Sequence, residues 1–233
     1  MPGRLLKRAF FEAPPERVAP RLLGKILVCR SSVGLTVGRI VEVEAYLGPH
    51  NATPDRAAHS HRGPTPRNQV LFGPPGYAYV YSIYGRYFCM NFSCEKEGLG
   101  GGVLLRALEP VAGIEQMARR RGLQPGAPAR DLTGGPGRLC QALGLNRETH
   151  NGLDLLDPDS PLQVRDDGFR VTRVLVTRRI GIRHAVELPL RFALPGNECV
   201  SGPKKMEAKW ISLRPGVAAP GRSSHVAPDR LLR

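Results

Sequence analysis

Glu42, Glu44 and Tyr46 are the side chains whose types and spacing could do chemistry in this sequence. Successive side chains of an extended chain face opposite ways, so these three share a face with Ile40, and Val41, Val43 and Ala45 share the other. A carboxylate beside a flat ring, where a strand runs into a loop, can hold a planar substrate against an activated water. The same residues also read as an ordinary half-buried strand with solvated glutamates. A third reading joins Glu42 and Glu44 to His59 as a metal-dependent nuclease.

Further chemistry-bearing residues follow within about sixty positions. Residues 77–83 alternate as a strand that places Tyr79 and Tyr81 on one face, and residues 88–93 alternate in turn, with Asn91 opposed to Phe88, Met90 and Phe92. Tyr84-Gly85-Arg86-Tyr87 between them is a compact turn, with glycine where a positive φ is wanted. Arg106 interrupts the apolar run 103–108, and a buried charge there needs a partner. These parts suit an enzyme that takes one base out of a duplex, because its target atom is unreachable inside the stack. An aromatic wedge fills the gap, flat rings sandwich the base and a carboxylate prepares water for attack at the sugar. The competing reading is a stacking platform that binds nucleic acid without catalysis.

The elements that position them are short. Pro14-Pro15 to Gly24 reads as a helix with proline in its first turn and glycine at its stop. Residues 25–29 and 35–46 form a hairpin. Residues 48–66, rich in Gly, Pro, Asn, Asp and His, form a long surface loop carrying His59. A helix is predicted over 111–121, then a basic flexible connection to Arg130. A second helix follows Gly134-Gly135-Pro136-Gly137-Arg138, a glycine-rich entry able to receive an anion with help from Arg138. Residues 151–155, 162–165, 171–177 and 190–194 are strand candidates.

The net charge of +14 points to a polyanionic partner, and 28 of the 34 basic residues are arginine, whose planar fork suits phosphate. Arg119-Arg120-Arg121, Arg138 and the C-terminal stretch are the candidate backbone contacts, so binding to undamaged duplex should weaken steeply with salt. No apolar run reaches the length of a membrane helix and no signal core opens the chain, so no membrane partner is expected. The five cysteines are an odd number scattered in apolar runs and read as reduced core thiols. Cys89 and Cys94 lack a second matched pair, and neither a metal nor a cofactor is expected.

Several blocks also resemble the alkyladenine (3-methyladenine) DNA glycosylases. They are Val43-Glu44-Ala45-Tyr46-Leu47-Gly48-Pro49, Ala57-Ala58-His59-Ser60, Thr65-Pro66-Arg67-Asn68, Tyr79-Val80-Tyr81 to Tyr84-Gly85, Phe88-Cys89-Met90-Asn91 and Leu104-Leu105-Arg106-Ala107-Leu108-Glu109-Pro110. Gly135 to Leu143 and Arg179-Ile180-Gly181-Ile182 extend the likeness, which covers about residues 10–200 in order. The resemblance implies a monofunctional base-excision enzyme that hydrolyses the N-glycosidic bond of alkylated purines in double-stranded DNA and leaves an abasic site. It implies Glu44 as the general base for water and Arg106 as support for that water and a phosphate. Tyr46 and His59 would form one side of the base pocket and Tyr81 the other. Asn91 would crowd the 2-amino group of guanine, and Tyr84 would be the minor-groove wedge, with Arg86 beside it as a further backbone or groove contact.

The expected architecture is α+β: one mixed domain over residues 1–202 with a curved, mostly antiparallel sheet, flanking helices and a protruding hairpin. Residues 203–233, with seven Lys or Arg against Glu207 and Asp229, are expected as a basic, mobile tail. A monomer is expected, placed in the cytoplasm with the nucleoid in a prokaryote or in the nucleus of a eukaryote.

Overall fold

A computed structural model describes residues 3–53, 55–202 and 209–213. The chain begins with β1 (Arg4–Leu5), a single 3-10 turn and α1 (Pro15–Leu22), then forms the hairpin of β2 (Ile26–Ser31) and β3 (Gly34–Tyr46). After the long loop come α2 (Gln69–Phe72), the hairpin of β4 (Ala78–Ile83) and β5 (Tyr87–Cys94), and β6 (Gly101–Ala112). The helices α3 (Ile114–Arg121), α4 (Ala129–Thr133), α5 (Pro136–Leu143) and α6 (Arg147–His150) precede β7 (Leu162–Asp166), β8 (Arg173–Thr177), β9 (Arg191–Ala193) and β10 (Lys209–Ser212).

The described strands make one open antiparallel sheet in the order β1-β7-β2-β3-β6-β5-β4, so the α+β expectation holds. β3 is its hub. Its first half pairs with β2, its second half pairs over Glu42, Val43 and Glu44 with β9, and β6 runs along its other flank. Gly38 permits that last contact, because a Cβ there would lie 2.9 Å from the Cβ of Leu108.

The β3–β6 register carries three shifts, and the two around Glu42 compensate each other. Ile40 pairs with Leu108, Glu42 with Ala107 and Val43 with Leu105, so Val41 on one strand and Arg106 on the other fall between paired residues. Bulges of this kind re-aim side chains. Here Arg106 is turned onto the two glutamates of β3. The bulge also interrupts strict alternation, and Ile40 packs in the same apolar cluster as Val41, Val43 and Ala45 rather than standing apart on the acidic face.

Helices α1 and α5 close this core. Val18 and Leu22 of α1 and Leu139 and Leu143 of α5 are buried with Leu105, Leu108 and Met117, each such large side chain contributing about 1.5–3 kcal/mol. Phe11, just before α1, stacks on Phe92 of β5 with centroids 5.9 Å apart. The five cysteines are buried and free, as the sequence indicates.

Three local expectations change. Val111 and Ala112 extend β6 instead of opening a helix, because Ala112 pairs with Val37; α3 starts only after Gly113, whose φ of 73° turns the chain. Ala129–Thr133 is helical rather than part of a flexible connection, with Leu132 and Thr133 buried. Residues 151–155 form no strand, only a single bridge between Asp154 and Tyr77. In the expected tail, Lys209–Ser212 pairs with β8, and the rest of residues 203–233, apart from Leu213, lies outside the described residues.

Candidate active site

The side chains of Glu42 and Glu44 have no solvent exposure, so the reading of solvated glutamates on a half-buried strand fails. Glu42 Oε1 accepts from Arg106 Nε at 3.0 Å, Arg191 Nε at 2.6 Å and Ser201 Oγ at 3.0 Å, and its Oε2 accepts from the Ser201 amide at 2.6 Å. Ser201 Oγ in turn accepts from Arg106 Nη2 at 3.1 Å. Both oxygens of Glu42 are thus committed to protein donors, which removes it from the arrangement a metal-dependent nuclease would need. Among the described residues no three of His, Cys, Asp and Glu are grouped to hold a metal.

Glu44 is met by two hydrogen-bond donors and a cation. Tyr46 Oη donates to Oε2 at 2.9 Å, the Ile180 amide donates to Oε1 at 2.8 Å, and Arg106 Nη1 lies 3.3 Å from Oε1. Burial raises the Tyr46 phenol far above its ordinary range and the charge of Glu44 adds to this, so the hydroxyl stays protonated and donates. Burial alone would lower the Arg106 guanidinium, but Glu44 and Glu42 reverse the effect and hold it charged.

Behind Tyr46 lies a second buried ion pair. Arg179 Nη1 donates to Asp55 Oδ2 at 2.7 Å and Nη2 to Asp55 Oδ1 at 2.8 Å, a two-pronged contact in which neither side chain reaches solvent. Arg179 Nη1 also donates to the Ala45 carbonyl at 3.0 Å and Nη2 to that of Ala185 at 3.3 Å, and its Cζ stands 4.5 Å from the Tyr46 ring centre. Asp55 further accepts from the amides of Leu47 and Ala57.

Above this floor opens a cavity of about 480 Å³, lined by Tyr46, His59, Tyr81, Tyr84, Asn91 and Arg106 together with residues 180–184. Glu44 lies behind Tyr46, Arg106 and Ile180, the wall residues that bond to it. His59 meets Tyr81 edge-on at 4.4 Å, and its Nδ1 is 3.0 Å from Tyr79 Oη, while Tyr79 stacks on Tyr81 at 5.2 Å. Burial, helped by Arg67, lowers the His59 imidazole below its usual value and favours the neutral ring. Its loop is pinned by Asn68, whose Nδ2 donates to the His59 and Gly63 carbonyls and whose Oδ1 accepts from Thr65. That explains what Thr65-Pro66-Arg67-Asn68 does locally. Asn91 presents a buried Nδ2 with no partner among the described residues.

Tyr84 stands at the hairpin tip, 92 % exposed and with a φ of 49°, in a three-residue turn closed by the Arg86 amide on the Ile83 carbonyl. Arg86 is exposed beside it and lines a separate shallow cleft with Arg120. The other basic candidates lie away from the cavity and already hold protein partners. Arg119 bonds to Gln116, Arg120 to Ser31 and the Ala142 carbonyl, Arg121 to Gln141 and the Asp131 carbonyl, and Arg138 to Asp131.

Sequence reasoning therefore named Glu44, Tyr46, His59, Tyr81, Tyr84, Asn91 and Arg106, and the structure gathers these seven at one place. It missed Glu42 as the anchor of Arg106, and it gave no role to Asp55, Arg179, Arg191 or Ser201. The quoted Arg179-Ile180-Gly181-Ile182 block was a usable signal for one of them. No local pattern joins positions 42, 191 and 201.

The chain is also similar to known proteins. Residues 9–198 match the family model described as methylpurine-DNA glycosylase (MPG). Three relatives carry the name "Putative 3-methyladenine DNA glycosylase". That of Koribacter versatilis is 52 % identical over 197 residues, covering 84 % of this chain and 93 % of its own length. That of Nitrobacter winogradskyi is 50 % identical over 204 residues, covering 86 % and 89 % respectively. That of Burkholderia lata is 47 % identical over 203 residues, covering 87 % and 93 %. With its sheet, its buried glutamate pair and the match running through both, this chain belongs to the methylpurine-DNA glycosylase family of DNA repair hydrolases.

Proposed function

We propose that this glycosylase hydrolyses the N-glycosidic bond of alkylated purines rotated out of duplex DNA, using a water activated by Glu44. The observation that carries the reading is the donor count on that carboxylate. An ionised carboxylate has about four acceptor sites. The Ile180 amide takes one site on Oε1, with the Arg106 guanidinium 3.3 Å away as an ion-pair partner, and Tyr46 takes one site on Oε2; a further site on Oε2 has no donor among the described residues and is the one a water admitted to this enclosed carboxylate would take. The carboxylate accepts that water's proton as oxygen attacks the sugar carbon, and the nearby Arg106 guanidinium offsets the charge of the groups around it.

A purine alkylated at N3 or N7 is already cationic and leaves readily, so a positioned water and electrostatic support for an oxocarbenium-like sugar suffice, as in glycoside hydrolysis. Tyr46 and His59 on one side and Tyr81 on the other hold the base. The unpartnered Asn91 Nδ2 crowds the edge where guanine carries its amino group. Tyr84 fills the space the base vacates. No lysine is found among the described residues lining the cavity, which supports attack by water over an imine-forming nucleophile. One chain supplies all the named groups, so the reading needs no second copy. In organisms like those of the relatives, the damaged duplex is the DNA of the nucleoid.

Replacing Glu44 with Gln and measuring base release under single-turnover conditions tests the reading. A loss of about 10²–10⁴-fold is expected, the usual contribution of general-base assistance. Full activity would remove Glu44 from the mechanism.

A further inference from the structure

We infer that Asp55 and Arg179 are positioning residues that set the geometry of the Glu44 carboxylate and of the flat ring beside it. The inference rests on the reading of Glu44 as general base.

The argument follows the contacts outward from Glu44. Its Oε2 is oriented by Tyr46 Oη, and the Tyr46 ring lies against the Arg179 guanidinium. Its Oε1 is oriented by the amide of Ile180, the residue next to Arg179 in the chain. Both hydrogen-bond donors on Glu44 therefore depend on where Arg179 sits. Arg179 is placed by Asp55 through a bidentate contact in which both side chains are fully enclosed.

The pair also ties three segments that share no hydrogen-bonded ladder. Arg179 holds the end of β3 through the Ala45 carbonyl and the far end of the 180–185 loop through Ala185. Asp55 holds the first residue beyond β3, Leu47, and the start of the His59-bearing turn through Ala57. Cavity walls come from the last two of these segments and from Tyr46. A guanidinium suits this task because its planar fork meets a carboxylate and two carbonyls while its face covers a ring. Lysine offers a point charge without the fork or the face.

Rate is the property such a clamp controls. Remote misplacement of a reacting group by about 1 Å costs up to 10²-fold in rate. Docking of the duplex itself is assigned to the hairpin tip, outside the segments the clamp ties, so the clamp is expected to act on rate more than on affinity.

The experiment uses the full chain and a duplex alkylated at purine nitrogens. R179K tests the fork, and the double variant D55L/R179M removes both buried charges together, which avoids the unpaired charge a single change would leave. The double variant is expected to fold with a normal circular dichroism spectrum. It should release base about 10- to 100-fold more slowly in single turnover, while the Kd for alkylated duplex moves less than about twofold. R179K should fall on the slow side with the double variant. In an E44Q background, D55L/R179M should cause no further loss, because the clamp acts through Glu44.

Wild-type release by D55L/R179M, or a Kd that weakens in step with the rate, would overturn the inference while E44Q stays slow. An added loss in the E44Q background would also overturn it. Full activity of E44Q alone would overturn the general-base reading and this inference with it.

Discussion

At the cavity floor each oxygen of Glu42 and Glu44 has a protein donor, and no part of either side chain meets solvent. At the tip of the β4–β5 hairpin, Tyr84 stands 92 % exposed on left-handed backbone, a conformation that costs an L-residue about 1–2 kcal/mol. The floor achieves its geometry by pairing its buried carboxylates with arginines and neutral donors. The tip keeps its geometry despite a local strain that the surrounding hairpin sustains. Persistent strain at an exposed aromatic fits a role directed at a partner, whereas an enclosed carboxylate held by fixed donors fits a group that must be oriented before the substrate arrives. The two regions should therefore answer mutation differently: the floor losing stability and activity together, the tip trading one against the other.

The largest effect should come from Glu42→Ala. It leaves Arg106 and Arg191 buried without the carboxylate they share, and breaking such a contact costs about 3–5 kcal/mol. Chemical denaturation measures this directly, and base release should fall with it. A variant as stable as the parent would break the contrast, since the floor would then not be held by charge pairing.

Tyr84→Asn should act with opposite signs. Asparagine adopts left-handed backbone more readily, so stability should rise by up to about 1 kcal/mol, while release of base from duplex slows. If the variant is less stable in denaturant, the tyrosine is not strained and the comparison loses its second half.

A pH dependence of stability is expected at Glu95, which does not line the cavity. Burial raises the Glu95 carboxyl to about 7, with Glu16 adding to the rise and His50, 3.2 Å away, opposing it. Its folded value lies above the ordinary 4.5, so the native state binds the proton more tightly than the unfolded chain. The stability this contributes is complete below about 4.5 and is lost as pH rises through about 7. The thermal midpoint of the parent should thus decline across that window more than that of Glu95→Gln; parallel profiles would place the titrating group elsewhere.

Much of the site was legible in the chain because its chemistry sits in contiguous strands and turns. Glu44 and Tyr46 lie two residues apart on β3, Tyr81 and Tyr84 lie on one hairpin, and alternation with turn composition sufficed to locate them. The interrupted apolar run signalled that Arg106 needed a partner. It did not signal that a bulge turns Arg106 onto both glutamates, because a register shift depends on the opposite strand. Helix and strand were confused at Val111 and Ala112 for the same reason: their pairing with β3 outweighs a pattern that suits a helix.

The sequence by itself determined the residue types of the site, the strands that bear them and the likeness to the family, since these are written in short-range order and side-chain chemistry. Only the tertiary structure decided which charges meet. The contacts of Glu42 with Arg191 and Ser201, and of Asp55 with Arg179, join positions more than a hundred residues apart. Their existence depends on where β9 and the 180–185 loop come to rest against β3, which follows from packing the whole sheet and is recorded in no local pattern.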